Sequence, residues 1–110
     1  MSHTHHIEVM FDFTRNDLKA CTKGDLRIVA KAFDLSTYWL EGKEFNDSIE
    51  TIQEDESMLG AGLIICHALV TITTDDADED ATAERVAEAV CPPEIEGYVA
   101  NFNGVVPVYL

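Results

Sequence analysis

Positive charge is what this sequence has least of. Its 110 residues carry 7 Lys+Arg against 21 Asp+Glu, a formal net charge of −14. Such a surface repels nucleic acid and anionic membranes and draws basic partners, so no direct nucleic-acid or membrane-surface binding is expected. Cysteine is also scarce. Cys21, Cys66 and Cys91 are an odd number with no CxxC pair, which excludes a disulfide framework and a zinc ribbon. Three free thiols in a reducing, cytoplasmic compartment are the expectation. Met1-Ser2-His3-Thr4-His5-His6 has no apolar h-region, so no signal peptide is expected. No apolar run is long enough to cross a bilayer. The longest, Gly60 to Thr74, is about fifteen residues and holds His67. GxSxG, P-loop and GxGxxG patterns are absent, as are linkers and internal repeats.

What is present is enough to fold. Hydrophobic residues make up 46% of the chain, which rules out a disordered acidic tail. The length suits one domain over 1–110, with 1–6 as a flexible end, and can bury a core without metals or disulfides. The run Gly60 to Thr74 is rich in β-branched residues and bounded by Asp75-Asp76, so it predicts a central strand buried on both faces. Its far half alternates, Leu69 and Thr71 against Val70 and Ile72, with one face wetter.

Ile7, Val9, Phe11 and Phe13 alternate with Glu8, Met10 and Asp12, which predicts a half-buried strand. Thr14-Arg15-Asn16-Asp17 has the shape of a capping box, so a helix is expected from there, with Leu18, Cys21 and Thr22 on its inner stripe. Beyond Gly24, Leu26, Val29, Ala30 and Phe33 fall on one helical face with Arg27 and Lys31 outside. Ser36-Thr37-Tyr38-Trp39-Leu40 is β-prone and predicts a short strand. Asp47-Ser48-Ile49-Glu50 predicts a further helix, with Ile49, Ile52 and Leu59 inward and Glu54-Asp55-Glu56 either its frayed end or a loop. A helix from Thr82 to Val90 follows the polar link Asp75–Asp80, with Ala83, Val86, Ala87 and Val90 inward and Pro92-Pro93 stopping it. Asn103-Gly104 between two β-rich runs predicts a type I′ hairpin that pairs Phe102 with Val105 and Val99 with Val108. Pro107 marks an edge strand. The order β-α-β-(α)-β-α-β-β points to an α+β domain: a single-layer, largely antiparallel sheet with helices on one face. A ferredoxin-like sandwich is the nearest named shape.

No chemical motif completes itself. Asp76-x-Asp78-x-Asp80 begins like a calcium loop, but the sixth and twelfth positions hold Ala81 and Ala87 where Gly and Glu are needed. An acidic helix start is the simpler reading. His3, His5 and His6 lack a further ligand at metal spacing. Cys66 and His67 are neighbours on a strand and so face opposite ways, which excludes a nucleophilic pair between them. His67 is expected near the core as a hydrogen-bonded structural histidine. Tyr38 or Trp39 could anchor a partner, although one of them suits the core. No cofactor, metal or catalytic residue is expected.

The acid clusters remain. One gathers Glu41, Glu44, Asp47, Glu50, Glu54, Asp55 and Glu56. The other runs from Asp75 through Asp76, Asp78, Glu79 and Asp80 to Glu88. The pattern suggests an acidic binding protein: an inhibitor, immunity protein or nucleic-acid mimic. Its contact residues would be Glu50, Glu54, Asp55, Glu56, Asp75, Asp76, Asp78, Glu79 and Asp80. The partner would be a basic protein such as a nuclease, a toxin or a nucleic-acid-binding complex. The alternative is a small-molecule-binding or enzymatic α+β domain whose acidity serves solubility or high salt. A contiguous negative face with no deep pocket would favour the binding protein, and a pocket beside His67 lined by perturbed carboxylates would favour the alternative.

Overall fold

The first strand and the sheet it anchors follow from alternation. In the computed structural model, which describes residues 2–35, 40 and 49–109 (backbone only for 34–35 and 50–55), strand β1 spans His3–Arg15. Its odd residues Ile7, Val9, Phe11 and Phe13 are fully buried, and its even residues are half-buried at most. Helix α1 (Lys23–Leu35), β2 (Ile49–Asp55), a single 3-10 turn (Leu59–Ala61), β3 (Ile64–Thr74), helix α2 (Glu79–Ala89) and β4 (Tyr98–Val108) follow. The sheet has the order β2-β3-β1-β4, and every neighbouring pair is antiparallel. The chain is therefore a small α+β fold. None of the described helices is long and apolar enough to cross a membrane.

One core serves the sheet and the two described helices. It contains the odd residues of β1, Ile64, Cys66, Ala68 and Val70 of β3, Leu26, Val29 and Phe33 of α1, and Ala83 and Val86 of α2. Phe11 sits at its middle. Its ring meets Phe33 edge-on at 5.4 Å and Phe102 of β4 at 5.5 Å, geometries that add to plain burial. The expected inner face of α1 is as drawn: Leu26, Val29, Ala30 and Phe33 are buried, and Arg27 and Lys31 are exposed.

Four expectations are corrected. The helix starts at Lys23, eight residues after Arg15, because the working capping box is Thr22-x-x-Asp25. The Asp25 amide donates to Thr22 Oγ1 at 3.2 Å, and the Thr22 amide donates to Asp25 Oδ2 at 2.8 Å. Thr14 and Arg15 continue β1, and Leu18 is 85% exposed with a positive φ of 58°. Second, Ile49–Asp55 is a strand, not a helix, paired with β3 from Ile49↔Val70 to Asp55↔Ile65. Third, β3 is buried on one face only. Ile64, Cys66, Ala68 and Val70 are covered, while Ile65, His67, Leu69 and Thr71 are half-open. The outward residues are apolar enough to resemble a second buried face in sequence.

Fourth, there is no C-terminal hairpin. Residues 98–108 form one strand along β1, from Arg15↔Tyr98 to His6↔Val108. Asn103-Gly104 makes a bulge opposite Met10/Phe11, and Gly104 takes φ of 103° there. The bulge switches the inward set from Tyr98, Ala100 and Phe102 to Val105, so both halves of β4 meet the core. β4 is an edge strand, as Pro107 suggested. The expected strand Ser36–Leu40 lies outside the described residues except Leu40, which is buried and bridges to Val90.

Candidate functional site

Register decides how the acidic residues are distributed. β2 and β3 are antiparallel, so Asp55 pairs with Ile65 at the start of β3. Glu54, Asp55 and exposed Glu56 therefore lie at that end of the sheet, and Glu50, opposite Leu69, lies midway. Asp75, Asp76, Asp78, Glu79 and Asp80 lie beyond Thr74, at the other end of the same strand. Nine residues at about 3.3 Å separate the two clusters by roughly 30 Å. They do not make one contiguous face. Glu41, Glu44 and Asp47, like Tyr38 and Trp39, lie outside the described residues.

The cluster after β3 is held by its own backbone. Thr74 Oγ1 accepts from the Asp76 amide at 3.3 Å, and Asp76 Oδ1 accepts from the Asp78 amide at 2.9 Å. Asp78 then caps α2, with Oδ1 accepting from the Asp80 and Ala81 amides at 3.0 and 3.2 Å. These bonds start α2 three residues before the expected Thr82. His5, which is buried, ties the loop to β1: its Nε2 donates to the Asp76 carbonyl oxygen at 2.7 Å. His3–His6 are paired with 71–74, so the loop rests on a strand end. Asp75 and Asp80 remain exposed to water.

The acidic surface continues along α2. Asp80, Glu84 and Glu88 fall at i, i+4 and i+8, and all three are exposed. Four residues rise about 6 Å, so the three carboxylates form a ridge roughly 12 Å long that joins the loop at its lower end. The i,i+4 spacing was visible in the sequence, yet Glu84 and Glu88 were not among the expected contact residues. Ion pairs join Arg15 to Asp17 and Asp25, and Lys23 to Glu56, away from this ridge. Five of the seven cations, Arg15, Lys19, Lys23, Arg27 and Lys31, fall between residues 15 and 31.

A second polar cluster sits at the opposite end of the sheet. Tyr98 Oη donates to Asp25 Oδ1 at 2.6 Å. Burial first, then the Asp25 carboxylate, pushes the Tyr98 phenol up to about 12. The same hydrogen bond, aided by the Thr22 amide, holds Asp25 below the usual carboxylate range. Arg15 and the Lys19 amide keep Asp17 low as well, the amide being the larger cause. The adjoining cleft, about 380 Å³, is lined by Arg15, Asp17, Asp25, Ile28 and Tyr98. Asp17 and Asp25 are held ionised and the Tyr98 phenol protonated, so none of these shifts brings a group toward neutral pH for proton transfer.

The histidines sort by face. His67 stands on the half-open face of β3, with Nδ1 2.9 Å from Glu8 Oε1, while Cys66 points into the core. It was expected near the core and instead lies half-open beside the Glu8 carboxylate, because its strand position faces away from the helices. A small cleft of about 200 Å³ near the acidic loop is lined by His5, His6, Glu79, Pro107 and Tyr109. The Glu79 carboxylate there raises the Tyr109 phenol above its ordinary value. Neither cleft is lined by His67. Among the described residues no group of three His, Cys, Asp or Glu side chains is arranged to hold a metal ion. No protein-family model, curated protein or solved structure matches this chain.

Proposed function

We propose that this protein is a non-enzymatic acidic binding protein that occupies a basic site on a protein partner, as an inhibitor, immunity protein or nucleic-acid mimic does. One observation carries the reading: the ridge Asp80-Glu84-Glu88 runs on from a loop whose Asp76 and Asp78 are fixed by backbone amides. Carboxylates held on a rigid frame can take the places of phosphates in a basic groove with little loss of side-chain freedom. The contact set narrows to Asp75, Asp76, Asp78, Glu79, Asp80, Glu84 and Glu88. Glu54, Asp55 and Glu56 are too far away to share that footprint and serve as a control. The fold that presents the ridge is read as ferredoxin-like, with both helices on one face. The β2-β3-β1-β4 order and the shared core support this. A reducing, cytoplasmic setting is supported by the odd number of cysteines.

The test is capture from the native host's extract followed by kinetics. Asp80→Asn, Glu84→Gln and Glu88→Gln together should slow association with the captured basic protein at least tenfold at low salt and flatten its salt dependence. The triple change Glu54→Gln, Asp55→Asn and Glu56→Gln should leave the rate near wild type. Capture of acidic or neutral proteins only, or wild-type kinetics for the ridge variant, would remove the proposal.

A further inference from the structure

Cations are few on this chain, yet three of them form a row. Lys23, Arg27 and Lys31 fall at i, i+4 and i+8 on α1, and all three are exposed. At about 6 Å per step, this row has the spacing and length of the acidic row Asp80, Glu84 and Glu88 on α2. Arg85 lies about 100° round α2 from Glu84 and leaves that row unbroken. The acidic side chains described beside the basic row are turned to other groups. Asp25 accepts from Thr22 and Tyr98, and Asp17 holds Arg15. Glu56 reaches Lys23 at 3.9 Å, a loose pair in open water. Each row costs its own helix stability. Lys23 in the first turn of α1 opposes the helix dipole, as Glu88 does in the last turn of α2, and like charges repel at every i,i+4 step.

We infer that two copies of the chain pack helix layer against helix layer, the basic row of each on the acidic row of the other. Charge complementarity selects the occupant. A foreign acidic helix would satisfy only the basic row, whereas a second copy satisfies both rows at once. Placement makes this possible. α1 begins at the end of β1 where Arg15 pairs with Tyr98 and Tyr98 bonds Asp25. α2 begins at the other end, where His5 holds the loop before it. Both helices feed one core, so on the reading of one helical face given above the two rows look out from the same layer at opposite ends. A two-fold axis crossing the strands sets the basic end of one copy over the acidic end of the other and repeats that contact at the far end. Ile28, 54% exposed beside Arg27, gives each contact an apolar centre. Each contact is about 16 Å by 10 Å, roughly 640 Å² in all over both contacts and both copies, so the dimer is a weak one.

Salt alone does not test this contact, because it screens the net repulsion of two acidic chains and the matched rows alike. Charge exchange does. One variant carries Lys23→Glu, Arg27→Glu and Lys31→Glu, which makes both rows acidic. A second carries Asp80→Lys, Glu84→Lys and Glu88→Lys, which makes both rows basic. Sedimentation equilibrium of the full chain at physiological salt and rising protein concentration should show a monomer–dimer equilibrium for wild type. Each variant alone should dimerise at least tenfold more weakly, with far-ultraviolet spectra unchanged. An equimolar mixture of the two should recover a dimer of near wild-type affinity, since every row again meets its opposite. Both variants remain strongly negative overall, so net charge cannot supply that attraction. If a triple variant fails to fold, Arg27→Glu with Lys31→Glu and Glu84→Lys with Glu88→Lys repeat the exchange. The variant of α1 leaves Asp80, Glu84 and Glu88 in place, so its result stands apart from the fate of the proposed basic partner. A wild-type monomer at every concentration would overturn the inference. So would a mixture that stays monomeric, variants that each dimerise like wild type, or assemblies that grow beyond the dimer.

Discussion

Replacing Tyr98 by Phe deletes one oxygen and with it the hydroxyl that donates to Asp25 at 2.6 Å. A hydrogen bond to a charged acceptor contributes about 1.5–3 kcal/mol. This one is half-open to solvent, and Asp25 keeps its bonds from Thr22, so the low end applies, about 1.5 kcal/mol. For a domain of this size the Tm at neutral pH should fall by roughly 6–10 °C. The pH dependence is more telling than the drop. Tyr98 has its folded pKa raised, from an ordinary value of about 10 up to about 12. The stability it contributes is fully present below about pH 10 and is lost as pH climbs toward 12. Asp25 is shifted the other way, chiefly by the same hydroxyl. Its contribution is full above the unfolded carboxylate value of about 3.9 and fades as pH falls below it. Tyr98→Phe should therefore flatten both arms of the stability profile. Thermal melts of both proteins from acid to alkali, with an ultraviolet titration of the phenols, make the comparison. An unchanged Tm at pH 7, or wild-type phenols that all ionise near 10, would refute the reasoning.

Other outcomes follow from single features. Gly104→Val should lower stability by about 1 kcal/mol or more in chemical denaturation, because a β-branched side chain resists the φ of 103° that the bulge requires. Asp78→Ala should cost about 1 kcal/mol through loss of the α2 cap, and Asp78→Asn should recover most of it. Mass spectrometry after brief alkylation of the native protein should find Cys91 modified first. Cys66, with no exposed surface, and Cys21, whose thiol is pushed up by burial, should react slowly.

Periodicity carried the sequence reading where one face of an element meets the core. Ile7 to Phe13 and Leu26 to Phe33 were legible for that reason. It failed where local chemistry had two possible hosts. Thr14-x-x-Asp17 and Thr22-x-x-Asp25 are equally good capping boxes on paper. The first lost because Phe13, Thr14 and Arg15 extend a strand already paired on both sides. Asn103-Gly104 supplies positive φ to a hairpin turn or a bulge alike. Ten residues paired with a central strand outweigh a hairpin of a few residues. Ile49 and Ile52 fit a helical stripe as well as a strand, and only pairing with β3 decides between them. The site was legible as composition but not as shape. Two acidic clusters close in sequence lie at opposite ends of β3, a consequence of antiparallel register that no local window contains.

The ridge itself makes a final, separable prediction, because its three carboxylates differ in what they do to α2. Asp80 lies in the first turn, where the helix dipole favours a negative charge by about 0.3–1 kcal/mol. Glu88 lies in the last turn, which has no basic residue, so the dipole opposes it by a similar amount. The pairs Asp80–Glu84 and Glu84–Glu88 each add about 0.2–0.5 kcal/mol of like-charge repulsion at i,i+4. Glu88→Gln should therefore stabilise by about 0.5–1.5 kcal/mol at low salt, Glu84→Gln by about 0.4–1 kcal/mol, and Asp80→Asn by nothing or slightly less than nothing. In molar salt, where the screening length is about 3 Å, the three variants should converge on wild type. Thermal melts of the single variants at both salts check the order. If Asp80→Asn proves the most stabilising, or the gains persist in molar salt, the ridge is not an exposed row of mutually repelling carboxylates on α2. If the order holds, the helix carries Glu84 and Glu88 at a cost to its own stability. That cost fits charges kept for a contact better than charges kept for the fold.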